Sequence, residues 1–224
     1  MKAEWLIHKG ASKLILFFAG WGMDPRLFER IAAKESDVLM FYNYCEDEFP
    51  AFAAESCGDY DHVSLVAWSL GVPVAERVCR QQSLEPCCSL AVNGTPCPVD
   101  DRYGIPVSLF DSTIKALSEE SLLRFYRRMC KQPSLLEQFL ENVPRRTIQE
   151  LGLELSVLRN VSPCDQSVFH RALISTHDRI VPAGNQLRCW QKLGVPTGNI
   201  PGPHFPFYDY ASWEDLIGTG TSTR

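Results

Sequence analysis

The chain has 224 residues, of which 45% are hydrophobic and 22% are charged, and its formal net charge at pH 7 is −5. This composition predicts one globular domain over residues 1–224 with a full hydrophobic core, and the net negative charge argues against a nucleic-acid partner. No apolar run approaches the roughly 20 residues of a membrane-spanning helix, and the first residues lack the apolar core of a signal peptide. We therefore expect no membrane partner and no export.

Buried strands and helices alternate along the first part of the chain. Apolar runs predict strands at 13–18, 37–42 and 87–92, and another that begins at His62 and leads into a turn at Ala67. A glycine-rich loop, Ala19-Gly20-Trp21-Gly22, follows the first strand, and Pro25 begins a short helical pattern. Strands that alternate with helices at this spacing predict an α/β fold with a mostly parallel, doubly wound sheet.

Helical periodicity replaces this alternation from about residue 100 to residue 165. The alternation resumes with a strand at 171–176, a helix at 183–193, a short strand at 195–200 and a helical segment from Ser212. We interpret the helical stretch at about 100–165 as a lid inserted into the single domain.

The segment from His62 to Cys79 reads as a strand, a sharp turn and a helix, with Ser69 at the turn. This context is typical of a nucleophile elbow, in which the turn presents a serine hydroxyl at the end of a sheet. Ala67 stands where the elbow pattern usually has glycine. The pattern alone therefore leaves two interpretations open, a nucleophile and an ordinary serine at a strand–helix junction.

A nucleophilic serine needs a histidine to take its proton and an acid to orient that histidine. Three of the five histidines lie near the N terminus or before a strand, at the wrong end of the sheet: His8, His62 and His170. Asp178 follows the strand at 171–176, and His204 lies in a proline-rich loop after the last short strand. The order Ser69, Asp178, His204 is that of α/β-hydrolases, whereas His177 would precede its acid. Asp178 and His204 could each be structural singly, but together they predict a catalytic triad.

Stabilising the oxyanion of such a reaction takes two backbone amides. The order of elements predicts those of Leu70, which follows the nucleophile, and Trp21 in the glycine-rich loop. The nine cysteines include no Cys-x-x-Cys pair, which argues against a zinc site or a disulfide framework and favours a reducing cytoplasm. We expect no metal and no cofactor.

The segment from Ser118 to Lys131 predicts an amphipathic helix within the lid. Its apolar stripe has the spacing i, i+3, i+4, i+7 and consists of Leu122, Phe125, Tyr126 and Met129. Cations occupy the opposite side, namely Arg124, Arg127, Arg128 and Lys131. The stripe could be ordinary core with a solvated back. It could also be a ceiling over a substrate tunnel, with Phe125 and Tyr126 against substrate and the cations docking an acidic partner.

Several motifs together carry a family resemblance. They are Phe17–Gly22, Leu65–Val72, Ala91–Thr95, Tyr103–Pro106, the acid loop Thr176–Pro182 and the histidine loop Gly202–Phe207. With these motifs the chain resembles the α/β-hydrolases, and more closely the BioG-type pimeloyl-acyl-carrier-protein methyl ester esterases of biotin synthesis. Ala67-Trp68-Ser69-Leu70-Gly71 is typical of that type, so Ala67 departs from the general hydrolase pattern but not from this one.

The resemblance implies a serine carboxylic ester hydrolase that removes the methyl ester from pimeloyl-[acyl-carrier protein]. Trp21 and Trp68 then become candidate walls beside the scissile ester. The acidic carrier protein would be the partner, bound by lid cations. Arg124, Arg127 and Arg128 are the first candidates for that role, with Arg145 and Arg146 as further ones.

Two alternative functions stay open from the sequence. One is a broad small-ester or thioester hydrolase on the same fold, against which the basic lid stripe speaks. The other is a non-catalytic, hydrolase-like protein that binds acyl carrier, which would be expected to lack at least one triad residue. The sequence makes no prediction of the oligomeric state.

Overall fold

The fold is described here from a computed structural model, which covers residues 1–46, 50, 57–163 and 166–219. A seven-stranded sheet has the order β1-β3-β2-β4-β5-β6-β7. Its strands are β1 Lys2–Ile7, β2 Lys13–Phe18, β3 Ser36–Tyr42, β4 His62–Trp68, β5 Cys88–Val92, β6 Arg171–Ser175 and β7 Thr197–Ile200. All neighbouring pairs are parallel except β1 with β3. The predicted α/β-hydrolase fold is confirmed.

The described helices follow the strands on the pattern of a doubly wound sheet, apart from a block of four between β5 and β6. They are α1 Gly71–Gln81, α2 Val107–Lys115, α3 Glu119–Cys130, α4 Pro133–Leu140, α5 Ile148–Leu158, α6 Ala183–Lys192 and α7 Trp213–Thr219. Short 3₁₀ helices lie at Pro25–Leu27 and Phe207–Asp209. None of the helices in the part of the chain described is long and apolar enough to cross a membrane.

The central strands are apolar on both faces because helices cover both faces of a parallel sheet. Leu14 to Phe18 of β2 and Val38 to Phe41 of β3 are each at most 1% exposed. Such continuous apolar runs made these strands predictable from sequence. β1 is not among the predicted strands. It is an edge strand in which Lys2 and Glu4 are exposed, so it lacks a continuous apolar run.

The block of four helices, α2 to α5, occupies residues 107–158. Two of these helices, α3 and α5, begin with a side-chain cap. At the start of α3, Ser118 Oγ accepts a hydrogen bond from the Ser121 amide, and Ser121 Oγ accepts one from the Ser118 amide. Thr147 and Glu150 form the same reciprocal arrangement at the start of α5. Each pairing satisfies amides that would otherwise have no acceptor in the first helical turn.

Candidate active site

Ser69 lies at the turn between β4 and α1, at the carboxyl end of the sheet. Its φ of 56° is in the left-handed region that non-glycine residues rarely adopt. Such a conformation costs on the order of 1–3 kcal/mol and persists only where surrounding contacts fix it. The Ser69 amide donates to the Val92 carbonyl at 2.9 Å. A Cβ on Gly71 would lie 2.4 Å from the Phe18 and Ala19 carbonyl oxygens, so only glycine fits there. The local structure is that of the predicted elbow.

Ala67, the unusual residue of the elbow pattern, is fully buried in β4. It is in register with Phe18 on one neighbouring strand and with Ala91 on the other. Side chains in register on adjacent strands are neighbours on the same face of the sheet. The small Ala91 side chain therefore leaves room for the methyl group of Ala67.

The structure brings the three predicted triad residues into one chain of hydrogen bonds. His204 Nε2 lies 2.8 Å from Ser69 Oγ, and His204 Nδ1 lies 2.8 Å from Asp178 Oδ2. Because an ionised carboxylate only accepts, Nδ1 donates to Asp178 and Nε2 accepts from the Ser69 hydroxyl. The His204 side chain is 1% exposed and that of Asp178 is fully buried. Serine activation by a neutral histidine needs this arrangement.

The Asp178 carboxylate is held by donors besides His204. Its Oδ1 accepts from the amides of Ile180 at 2.8 Å and Val181 at 3.0 Å. Its Oδ2 accepts from Gln186 Nε2 at 2.8 Å. A buried charge is stable only with partners of this kind, and here they also fix the direction of the carboxylate. Gln186 was not predicted as a site residue. Its sequence indicates this role only in that a polar side chain stands on the buried face of α6.

The loop that carries His204 is fixed through its backbone. The His204 carbonyl accepts from Trp68 Nε1 and from Asn93 Nδ2, both at 2.9 Å. Asn93 also accepts from the Ser175 amide at 2.7 Å and donates to Ser175 Oγ at 2.8 Å. It therefore ties the ends of β5 and β6 to the histidine loop. Asn93 was part of a motif used for the family resemblance, but no role was predicted for it.

A largely apolar cavity lies beside Ser69 and contains about 530 Å³ of space, part of it open to solvent. Besides Ser69 and His204, the predicted residues Trp21, Trp68, Leu70 and Phe125 are among those that line it. Met129 and Leu155 contribute further apolar surface from α3 and α5. The lining therefore offers apolar contact for an uncharged group whose reactive atom lies at Ser69.

Trp21 and Leu70, the two predicted oxyanion donors, both border the cavity. Among the described residues, neither amide donates a hydrogen bond to another protein group. The Trp21 indole, by contrast, donates to the Leu151 carbonyl at 3.0 Å.

Tyr126 is the predicted substrate-contacting residue that the structure does not bring to this cavity. It is 3% exposed, and its ring lies 4.8 Å from that of Phe139, centroid to centroid. Desolvation in this packing raises the pKa of its hydroxyl. The prediction is wrong for Tyr126 because the apolar stripe of α3 has two edges. Phe125 lies on the edge that faces the cavity, and Tyr126 lies on the edge that packs against α4.

Three of the cations predicted for this helix line a second groove, between α2 and α3. Arg124, Arg127 and Arg128 are exposed and line it, and Trp21, Phe125 and Arg128 border both the groove and the cavity. The predicted clean separation of apolar and cationic faces is therefore wrong at Arg128. Residues three apart are neighbours on a helix, which places Arg128 next to Phe125 at the cavity mouth.

The two further docking candidates behave differently from one another. Arg145 is exposed. The Arg146 side chain is only 5% exposed, and its Nη2 lies 3.3 Å from Glu154 Oε2. Arg146 is thus engaged in a buried ion pair, which corrects its prediction as a surface docking residue.

Comparison with known proteins agrees with this geometry. The family model described as "Pimeloyl-ACP methyl esterase BioG" matches residues 1–216. The solved structure of BioG from Haemophilus influenzae superposes with a TM-score of 0.85 at 31% identity, and the match covers 97% of this chain and all of that one. An uncharacterised protein of Haemophilus influenzae is 34% identical over 221 residues, with 96% of this chain and 99% of that protein covered.

A further relative is a malonyl-[acyl-carrier protein] O-methyltransferase of Bacteroides fragilis, 37% identical over 194 residues. The match covers 85% of this chain but only 39% of that relative. The chain therefore corresponds to less than half of the longer protein.

Proposed function

Because the chain belongs to the family of pimeloyl-ACP methyl esterases BioG, we propose that it hydrolyses the methyl ester of a pimeloyl chain carried on acyl carrier protein. The observation that carries the proposal is the hydrogen-bonded chain Ser69–His204–Asp178 beside an apolar cavity. The alternative of a non-catalytic binding protein predicts that this chain of hydrogen bonds is incomplete, whereas its three members are within hydrogen-bonding distance.

In the proposed reaction, Ser69 Oγ attacks the ester carbonyl carbon while His204 Nε2 takes the hydroxyl proton. The tetrahedral intermediate collapses, the C–O bond to the methoxy group breaks, and His204 gives the proton to the leaving group, which departs as methanol. Water then attacks the acyl-serine with His204 again as base. The products are free Ser69 and a carrier-bound chain that ends in a carboxylate.

The amides of Trp21 and Leu70 are the proposed oxyanion donors of both steps. Removing one such donor typically costs about 10²–10³ in kcat. Their place at the cavity wall beside Ser69 supports this role.

The apolar lining supports an uncharged ester as substrate. A methyl ester and a methylene chain lose little on leaving water, whereas a buried carboxylate without a partner is costly. Trp21, Trp68 and Phe125 are the proposed walls for this chain. The carboxylate product is disfavoured in the same cavity, which aids its release.

We assign the helical stretch at about 100–165 as the lid of a single domain and Arg124, Arg127 and Arg128 as the contact for the carrier. Three exposed cations beside the cavity mouth offer complementary charge to an acidic protein and speed its encounter. The substrate chain would pass from the carrier through the groove between α2 and α3 to Ser69.

The direct test is incubation of the purified chain with methyl-pimeloyl carrier protein, followed by mass measurement of the intact carrier. The expected product is pimeloyl carrier protein together with methanol. Unloaded carrier and free monomethyl pimelate would instead identify a thioester hydrolase. Pimeloyl carrier protein without the methyl group is the matched control and should remain intact. An unchanged substrate would contradict the proposal.

A further inference from the structure

Helix α5 is hydrogen-bonded directly to the glycine-rich loop Ala19–Gly22, which carries Trp21. The Trp21 indole donates to the Leu151 carbonyl at 3.0 Å, and the Gly22 amide donates to Glu154 Oε2 at 3.2 Å. Leu151 and Glu154 are three residues apart on α5, so they lie on the same face of that helix. Two consecutive loop residues are thus fixed to one helix outside the sheet.

The Glu154 carboxylate joins more than these two elements. Its Oε1 accepts from the Tyr44 amide at 2.9 Å, just after β3. The Tyr44 hydroxyl in turn donates to the Ala19 carbonyl at 2.7 Å, at the start of the glycine-rich loop. Both ends of that loop are therefore fixed by contacts that converge on Glu154.

Glu154 is fully buried, which makes its position energetically demanding. Burial raises the pKa of its carboxyl, while Arg146 and the amides of Tyr44 and Gly22 oppose that rise. A buried carboxylate and its partner often contribute less to stability than well-packed apolar side chains would. The two oxygens, however, can accept from two separate backbone amides at once, which no apolar side chain can do.

We propose that Glu154 is a positioning residue for ester hydrolysis, holding the Gly22 amide and with it the neighbouring Trp21 amide in place beside Ser69. Arg146 supports this role by balancing the Glu154 charge, and its Nη1 also donates to the Met23 carbonyl at 3.4 Å. The inference rests on the proposed function, since it takes Trp21 as an oxyanion donor. Helix α5 would then have two roles, since Leu155 lines the cavity and Glu154 holds the loop that carries the oxyanion donor Trp21.

The variant Glu154→Gln tests the proposal with little change in side-chain volume. Glutamine has one acceptor oxygen, so one of the two amides loses its acceptor and faces an NH₂ group instead. We expect kcat for a short p-nitrophenyl ester to fall about tenfold while KM stays within twofold, because oxyanion donors act mainly in the transition state. The affinity for a trifluoromethyl ketone, which forms a tetrahedral adduct with serine, should fall by the same factor.

Glu76→Gln is the matched control. Glu76 is also fully buried, accepts from the Val168 amide at 3.0 Å, and pairs with Arg80 at 2.7 Å. In the part of the chain that the structure describes, its hydrogen-bond partners are Arg80, Ser167 and Val168, none of which belongs to the Trp21 loop. A loss of stability comparable to that of Glu154→Gln is expected, with kcat and ketone affinity within twofold of the wild-type values.

The kinetics of these variants separate the positioning role of Glu154 from the proposed ester hydrolysis. Unchanged kcat and ketone affinity in a folded Glu154→Gln variant overturn the positioning role while leaving ester hydrolysis intact. Failure of the wild-type chain to cleave the ester, or equal cleavage by Ser69→Ala, overturns the proposed function instead. If Glu154→Gln does not fold, Tyr44→Phe decides, since it removes only the hydroxyl that joins the Ala19 carbonyl to Glu154 through Tyr44, and Tyr44 does not line the cavity. A several-fold lower kcat at unchanged KM supports the proposal, and an unchanged kcat overturns it.

Discussion

The carboxyl edge of the sheet and the helices α2 to α5 contribute to the same cavity in different ways. At the sheet edge, the Ser69, Asp178 and His204 side chains are buried, and the hydrogen bonds that join them are 2.8 Å long. On α3, Arg124 and Arg127 are exposed, and Phe125 is only half-buried. The side chains of the sheet edge are therefore held by one another, whereas those of the helices are partly open to solvent. This contrast supports the proposed division, in which the sheet edge carries out the chemistry and the helices select the substrate.

Asp178→Asn should have the largest effect among changes that keep the shape of the sheet-edge site. An asparagine amide can donate to His204 Nδ1, which leaves the proton on Nε2 and prevents that atom from accepting the Ser69 proton. We expect kcat/KM to fall about 10⁴-fold on carrier-bound and small esters alike. Asp61→Asn, at the opposite end of the sheet, is the control and should retain wild-type rates. A loss on only one of the two substrates would break the assignment of chemistry to the sheet edge.

Asn93→Ala should have an intermediate effect, because it acts on the position of His204. It removes one of two donors to the His204 carbonyl and the acceptor of the Ser175 amide. We expect kcat/KM to fall about 10–100-fold and stability to fall by about 1–3 kcal/mol. Steady-state kinetics and thermal unfolding check these values against Asn160→Ala, an exposed asparagine at the end of α5. Wild-type kinetics in Asn93→Ala would show that the Trp68 bond alone fixes the histidine loop.

Reversal of Arg124 and Arg127 to glutamate should separate the two regions, because these two cations line the groove but not the cavity. We expect turnover of the carrier-bound ester to fall about tenfold at low salt, with a smaller difference at high salt, because exposed charges are screened. The rate on a short p-nitrophenyl ester should stay within twofold.

A control with the same change in net charge reverses Lys9 and Lys13 at the amino end of the parallel strands, and it should spare both substrates. Equal losses on both esters in the arginine variant would mean that these residues shape the site rather than dock a partner.

Lys131→Gly should have the smallest effect and concerns the stability of the helical region. Lys131 follows α3 with a φ of 58°, where glycine is favoured. We expect stability to rise by about 0.5–1 kcal/mol with no change in small-ester activity. Glu137→Gly, at an exposed position inside α4, should lower stability by a similar amount. A decrease in melting temperature for Lys131→Gly would show that the lysine stem contributes more packing than its backbone conformation costs.

The sheet-edge site was predictable because its residues follow strands of the sheet. Ser69 and Asp178 come soon after largely apolar strands and His204 lies in the loop after β7, in an order that α/β-hydrolases share. Parallel strands end at one edge of the sheet, so sequence position implied spatial proximity. The supporting residues Asn93 and Gln186 were not predicted, since their roles depend on distances between loops that no local pattern encodes.

The helical region was predictable in its elements but not in its contacts. The spacing of Leu122, Phe125 and Met129 predicted the apolar face of α3. Whether a given residue faces the cavity or a neighbouring helix depends on how α3 packs, which is why Tyr126 and Arg128 differ from the prediction. Arg146 also differs from its prediction. Its partner Glu154 lies on α5, eight residues further along the chain, and the burial of this ion pair depends on how α5 packs.

The most direct test of the central claim, that Ser69 attacks the ester of the carrier-bound chain, is the rate of pimeloyl carrier protein formation by Ser69→Ala. Ser64→Ala, on the same strand β4, is the matched control. We expect Ser69→Ala to lose about 10⁴-fold or more in kcat/KM with unchanged circular dichroism, and Ser64→Ala to retain the wild-type rate. A folded Ser69→Ala variant that forms the product within tenfold of the wild-type rate would contradict the claim.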